Sequence, residues 1–391
     1  MAASERVLII GGGIGGLAAA NALRTNGLNV TVFEQADELR EIGAAIGVQT
    51  NAVKALRSMG RADAMVAQGV EIEHWQYFTW RGRKLVDWRQ GEIGRKLGAP
   101  NVVIHRADLQ TALGSGLPDG VVELDRHCVG YEEDASGVTA RFADGSEERG
   151  EVLIGCDGIR SGIRKQLLGD TPLRYAGWIA MRGITTFSHP SIPVGICRQF
   201  IGRGRTFGMW HLTGGRIYWV GSAKMPANSQ DAPGGRKREI LDWCGNGPEP
   251  VRALIEATDE SAMLRNDIND REPVDRWSSR RVTLLGDAAH PTTPVTGQGG
   301  GQAIEDAAVL ARMFSSVDKL SDGDAVEAAF RRYEAERAPR TASITNEAWT
   351  IAGMHHWTNP VVCWVRDIGM KAQPQKVWDK RMELRLDTYQ E

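Results

Sequence analysis

Hydrophobic positions along this chain change rhythm several times, and each change predicts an element. Val7-Leu8-Ile9-Ile10 is an unbroken apolar run stopped by glycines. A short β-branched run of that kind predicts a buried parallel strand. Leu17, Ala18, Ala20, Ala22 and Leu23 then give a helix with small residues on its packing side. Val30-Thr31-Val32-Phe33 predicts a second strand, ending in Glu34. A further helix is expected through Asn51 to Met59, after the string Gly43-Ala44-Ala45-Ile46-Gly47.

Residues 71–100 differ in character. Trp75, Tyr77, Phe78, Trp80 and Trp88 alternate with polar residues, which predicts strands outside the first sheet. The pattern of the opening residues returns over 103–172. A helix is expected near Arg106–Leu113, with short strands around Val121–Leu124, Tyr131–Glu133 and Val138–Phe142 and a hairpin turn at Asp144-Gly145. Residues 174–223 predict strands at Trp178–Thr186, Arg198–Ile201, Thr206–Leu212 and Arg216–Val220, with Gly214-Gly215 as a turn. Helices are expected near Arg236–Trp243 and Pro250–Ala257. Val282-Thr283-Leu284-Leu285 reads as the last buried strand, before helices at Gln302–Phe314 and Ala325–Trp349.

The first strand runs straight into Gly11-x-Gly13-x-x-Gly16, with Ile14 opening the helix. Gly11 permits a tight turn, Gly13 lets backbone approach a pyrophosphate, and Gly16 lets the helix sit close to the sheet. The helix N-terminus offers free N–H groups and a positive dipole end. Glu34 stands at close to the usual spacing of about 20 residues for a ribose partner. Strand, helix, second strand and acid together predict dinucleotide binding. They do not choose between NAD and FAD.

Composition narrows the classes. Lys and Arg number 47 against 49 Asp and Glu, for a net charge of −2, so nothing calls for nucleic acid or an anionic membrane. The five cysteines are scattered and in no metal-ligand spacing, which points to a reduced, cytoplasmic protein without a metal site. The opening reads as a folded strand rather than a signal peptide, and no run approaches the ~18 apolar residues of a membrane span. Most of the 12 tryptophans are expected in the core, but a surplus suits a pocket for a flat ligand.

Far downstream the chain reads Leu284-Leu285-Gly286-Asp287-Ala288-Ala289-His290-Pro291, then Pro294 and Gly297-Gln298-Gly299-Gly300. With the amino-terminal glycines, in this order, the string resembles the second end of one bound FAD. The pairing resembles the single-component flavoprotein monooxygenases that hydroxylate aromatic rings, of the p-hydroxybenzoate, salicylate and urate hydroxylase type. The resemblance covers nearly the whole chain and fades after about residue 350.

It implies an α/β protein with a discontinuous Rossmann-like FAD-binding domain over 1–72, 100–173 and 280–350. A β-sheet substrate domain over 73–99 and 174–279 is inserted, and a helical segment over 351–391 closes the chain. It implies non-covalent FAD, NADH or NADPH as co-substrate, O2, and oxygen transfer through a flavin C4a-hydroperoxide to an aromatic or heteroaromatic small molecule. It places Asp287 on the ribityl chain, Pro294, Gly297, Gly299 and Gly300 beside the flavin ring, and Ala45 and Arg106 at the cofactor. His290 is then structural. Asp157, in Asp157-Gly158, either supports FAD and NAD(P)H use, with Arg164 nearby, or caps the helix opening at Ser161; the two readings are compatible.

Substrate-activating groups are expected on the inserted sheet, because a base that removes a phenol or ring N–H proton makes the ring a better nucleophile. Arg205, Phe207, Met209 and His211 share one face of a strand, and Arg216, Tyr218 and Val220 share one face of the next. Tyr218 resembles the tyrosine of urate hydroxylases, His211 a histidine of salicylate-type enzymes, and Arg182 the arginine of a Trp-Arg-Gly element. Arg205 is the remaining candidate. Plainer roles stand beside these: core aromatic, surface histidine, salt-bridge partner. Thr296 stands where urate-type relatives carry an acid, which argues against urate. Epoxidation of an alkene and non-catalytic flavin binding are the alternatives.

Overall fold

The computed structural model describes residues 5–39, 44–387 and 389. Gly43 of the glycine-rich string lies outside them.

The apolar run Val7–Ile10 lies in the middle of a parallel sheet. Its five strands run in the order Val282–Leu284, Val152–Gly155, Arg6–Ile10, Asn29–Phe33, Val122–Glu123. Val7, Leu8 and Ile9 have no exposed surface. Such burial on both faces is why the run is continuous rather than alternating. The helices Ile14–Thr25 and Gly299–Phe314 pack on each other over this sheet.

A second sheet has seven strands, in the order Leu264–Asp270, Arg174–Thr186, Arg216–Lys224, Arg205–His211, Ile196–Ile201, His74–Thr79, Lys84–Trp88. Strands from before residue 90 and after residue 173 therefore share one sheet. Their junction, Ile196–Ile201 beside His74–Thr79, is its one parallel pairing. One face buries Phe207, Met209, Ile217 and Trp219 under the helices Gly235–Cys244 and Val251–Ala257. The other face looks toward the parallel sheet.

Several elements differ from expectation. Residues 90–97 form a helix, Gln90–Leu97, because the aromatic alternation ends at Trp88 and Ile93 packs on Met382 and Leu386 of the helix Gln375–Leu386. The edge strand Leu264–Asp270 carries little apolar signal; pairing to Arg174–Thr186 and the Arg174–Asp270 ion pair at 2.8 Å hold it. The helix expected over Ala325–Trp349 continues further, as Gly323–His355, because Ala348, Ala352 and His355 keep its buried stripe going. The helices Pro360–Ala372 and Gln375–Leu386 follow. Among the described residues no helix is long and apolar enough to cross a membrane, and no group of His, Cys, Asp or Glu could hold a metal ion.

Candidate active site

Where the carboxyl ends of the parallel strands meet the second sheet there is a cavity of about 390 Å³. Open α/β sheets present ligand groups at that end. Gly13 and Ile14, at the N-terminus of Ile14–Thr25, line it, so the helix's free N–H groups face the space. Gly11 and Gly16 do not line it. They shape the turn instead. Gly11 has φ +107°, and a Cβ there would stand 2.5 Å from the Cys156 carbonyl oxygen. A Cβ on Gly16 would stand 1.9 Å from the Gly11 carbonyl oxygen, so only glycine lets the helix come this close. Glu34 closes the turn: its Oε2 accepts the Gly12 N–H at 2.6 Å.

The opposite edge of this wall is the second glycine string. Asp287 lines the cavity and is exposed, between buried Gly286 and Ala288. Arg164 fixes that turn from behind, donating from Nη1 to the carbonyls of Ala288 and Ala289 at 3.0 and 2.7 Å. Asp157 does not line the cavity. Its Oδ2 accepts the Ile163 N–H at 3.1 Å, and Ser161 accepts the Arg164 N–H at 2.8 Å, so together they cap Gly162–Leu168. Burial pushes the Asp157 carboxyl above its ordinary value.

Pro294, Gly297, Gly299 and Gly300 all line the cavity, with Ala45 and Arg106 across from them. A Cβ on Gly300 would come within 2.3 Å of Ile46 Cδ1, so a side chain there would displace the tip of Ile46 on the strand Ala45–Val48. Beneath the loops lies a wholly buried polar network. Asp306 Oδ2 takes the Gly286 N–H at 3.0 Å and His290 Nε2 at 2.6 Å, while its Oδ1 takes Arg337 Nε at 2.6 Å. Arg337 also reaches Glu305, and Gln302 bonds Gln298, which meets Gln49 and Asn51. His290 thus belongs to the support of the loop.

The facing wall is the second sheet. Tyr218 and Arg182 line the cavity, with Trp75, Trp88, Trp178 and Trp210. Tyr218 stands opposite Trp210 in the hairpin register, their rings 4.9 Å apart. Burial pushes the Tyr218 phenol up, against the pull of Arg182 and Arg106. It is therefore a neutral O–H donor at pH 7. Arg205 and His211 lie on the other face of the sheet. The register pairs His211 with Ile217 and Met209 with Trp219, all turned toward the covering helices. His211 Nε2 bonds the Ile192 carbonyl at 2.6 Å, and Arg205 bonds the Trp243 carbonyl at 2.5 Å and lies over Trp80. The structure does not bring these two to the cavity.

The donor set fits FAD. A helix N-terminus suits its pyrophosphate, Asp287 suits its ribityl hydroxyls, and bare glycine backbone suits its flat ring. Glu34 does not line the cavity: its two carboxylate oxygens accept the Gly12 and Ala36 N–H groups at 2.6 and 2.9 Å.

Comparison with known proteins agrees with that geometry. Residues 4–348 match the family described as FAD binding domain. The chain is 37% identical over 384 residues to the aurachin C monooxygenase/isomerase of Stigmatella aurantiaca, covering 97% of each. It is 33% identical over 345 residues to an FAD-dependent urate hydroxylase of Klebsiella pneumoniae, covering 88% of each. The structure of Klebsiella pneumoniae HpxO with FAD and uric acid superposes with a TM-score of 0.90 at 30% identity, over 98% of this chain and 96% of that one. The chain belongs to the single-component FAD-dependent aromatic monooxygenases.

This monooxygenase also brings residues to the cavity that the sequence did not single out. His355 and His356, at the end of Gly323–His355, line it, with Gln199, Thr206 and Ser222. Thr206 and Ser222 are a cross-strand pair on the Tyr218 face. The available signal was parity: on each strand the set alternating with Phe207, Met209, Ile217 and Trp219 is the cavity set.

Proposed function

We propose that this monooxygenase uses NADH or NADPH and O2 to place one oxygen atom on an aromatic or heteroaromatic ring. The ring compound, O2, the reduced nicotinamide and a proton give the ring alcohol, oxidised nicotinamide and water. The carrying observation is that one continuous cavity has cofactor glycines on one wall and Tyr218, Arg182 and four indoles on the other. FAD, when bound, supplies the redox and oxygen chemistry.

The chain's own residues bind, orient and shield. Gly13 and Ile14, Asp287 and Arg106 would hold the cofactor, with Ala45 and the Pro294–Gly300 loop beside it, and Glu34 would reach its ribose from behind the Gly12 turn. Asp157 acts from a distance, through the helix cap and Arg164. Tyr218 donates its O–H to a substrate oxygen or nitrogen, and Arg182 favours partial negative charge on the ring. The tryptophans exclude water, which strengthens both effects. Arg182, Gln199 and two histidines leave this wall poorly suited to an isolated alkene, so epoxidation is not favoured. The proposed compartment is the cytoplasm, in keeping with five free cysteines.

The test is a panel of aromatic acids, phenols, indoles and quinolones given to yellow, FAD-loaded protein. At least one should accelerate NAD(P)H oxidation and gain one oxygen atom by mass. Slow oxidation with every compound would favour a flavin carrier instead.

A further inference from the structure

The helix Gly323–His355 delivers His356 to the substrate wall, where its bonding is fully specified. Nδ1 lies 2.8 Å from the Ala352 carbonyl oxygen. A carbonyl only accepts, so Nδ1 carries the hydrogen. Burial, with Arg366 and Lys224 nearby, holds the imidazole down at about 4, so the ring is neutral at pH 7. Nε2 of a neutral ring with hydrogen on Nδ1 can only accept. Ser222 Oγ, 2.8 Å away, must therefore donate to it.

That fixes the next bond. Ser222 has one hydroxyl hydrogen, and it is committed to His356. Thr206 Oγ1 lies 2.7 Å from Ser222 Oγ, so Thr206 is the donor in that contact. With its own hydrogen committed, Thr206 Oγ1 has only acceptor capacity left for the cavity it lines. Stacking on Trp178, at 4.5 Å and 15° between rings, holds the imidazole in place. All three polar residues are more than nine-tenths buried, so bulk water does not randomise the chain.

We propose that His356, acting through Ser222, fixes Thr206 as a hydrogen-bond acceptor toward the substrate, so that the enzyme selects rings bearing an O–H or N–H at that point. The proposal rests on the hydroxylase reading and narrows its substrate class. His356 is a positioning residue; Thr206 is the contact. Sites that bond a substrate hydroxyl discriminate strongly against analogues lacking it, because a buried partner is then left unpaired. The acceptor here complements the Tyr218 donor on the same face.

The test titrates FAD-loaded protein with 2-naphthol, 2-methoxynaphthalene and naphthalene, following the flavin absorbance. Wild type should bind 2-naphthol about tenfold more tightly than the other two, the worth of one buried hydrogen bond. In His356→Phe the ring still stacks on Trp178, but Ser222 loses its acceptor and turns its hydrogen to Thr206. Thr206 then points its own hydrogen into the cavity, and the preference should fall to about twofold or less. His356→Gln, whose side-chain carbonyl can accept from Ser222, should restore it. Thr206→Val should abolish it directly, and serves if His356→Phe fails to fold. A wild type that does not distinguish the three probes overturns the proposal. So does a folded, yellow His356→Phe or Thr206→Val with the preference intact. A wild type that retains no FAD, or that no ring compound stimulates, removes the hydroxylase reading itself.

Discussion

His290 and Asp306 lie 2.6 Å apart, in direct contact, at the point where the second glycine string folds back over the helix Gly299–Phe314. The same carboxylate takes the Gly286 N–H and the Arg337 guanidinium. Although burial opposes ionisation, His290 and Arg337 hold its carboxyl down at about 2. Asp306→Ala would leave Arg337 and His290 short of a buried partner. Breaking such a pair costs about 3–5 kcal/mol. A drop in thermal midpoint with loss of flavin on gel filtration is expected; a stable, fully yellow variant would contradict this account of the loop.

Glu34→Ala removes the acceptor of the Gly12 N–H as well as the proposed ribose partner. FAD affinity should fall roughly ten- to a hundredfold, the worth of hydrogen bonds to a charged acceptor. Isothermal titration of the deflavinated protein measures it. Unchanged affinity in a folded variant would overturn the ribose assignment.

Tyr218→Phe and His211→Ala separate the two faces of the hairpin. Loss of the Tyr218 hydroxyl should uncouple the reaction, with NAD(P)H consumed, hydrogen peroxide released and product per NAD(P)H down roughly tenfold or more. His211→Ala loses a bond to Ile192 on the far face and should cost about 1 kcal/mol of stability while coupling stays intact. The reverse pattern would place the activating group on the helix-covered face.

Acid should loosen the fold before it discharges Asp306. Burial holds His355 at about 3 and His356 at about 4. Unfolded histidines bind protons near pH 6.5. As pH falls from about 6.5 to about 4, the unfolded chain takes up protons that the folded chain does not. Stability therefore drops on acidification, by up to about 1.4 kcal/mol per pH unit per histidine. The Asp306 contribution persists through that window and is lost only below its unfolded value, toward about 2. A His355→Gln protein should show a shallower fall in thermal midpoint between pH 7.5 and 5. Parallel curves for the two proteins would refute it.

What was legible in the sequence was local. Gly11 and Gly16 are required by close approaches to backbone that no other residue tolerates, so their spacing carries the turn at the cavity wall. Asp287 follows its strand directly. The substrate wall depends on which sheet face meets the cavity, and a single strand's alternation does not say. Arg205 and His211 share parity with Phe207 and Met209, which the helices Gly235–Cys244 and Val251–Ala257 cover. Closing the hairpin at Leu212 and Arg216 would have paired Trp210 with Tyr218 and Thr206 with Ser222. His355 is hidden because the helix carrying it reads as ending at Trp349, although Ala348, Ala352 and His355 continue the spacing.

The 33-residue helix Gly323–His355 is a rod of about 50 Å. Arg337, near its middle, anchors the glycine-string loop through Asp306, and its far end brings two histidines to the cavity. Exchanging specificity between relatives by transplanting the seven-stranded sheet alone would set a foreign floor against a native ceiling. The unit that can be swapped is the sheet together with the last two turns of that rod, and laboratory evolution confined to the sheet would leave the two histidines untouched.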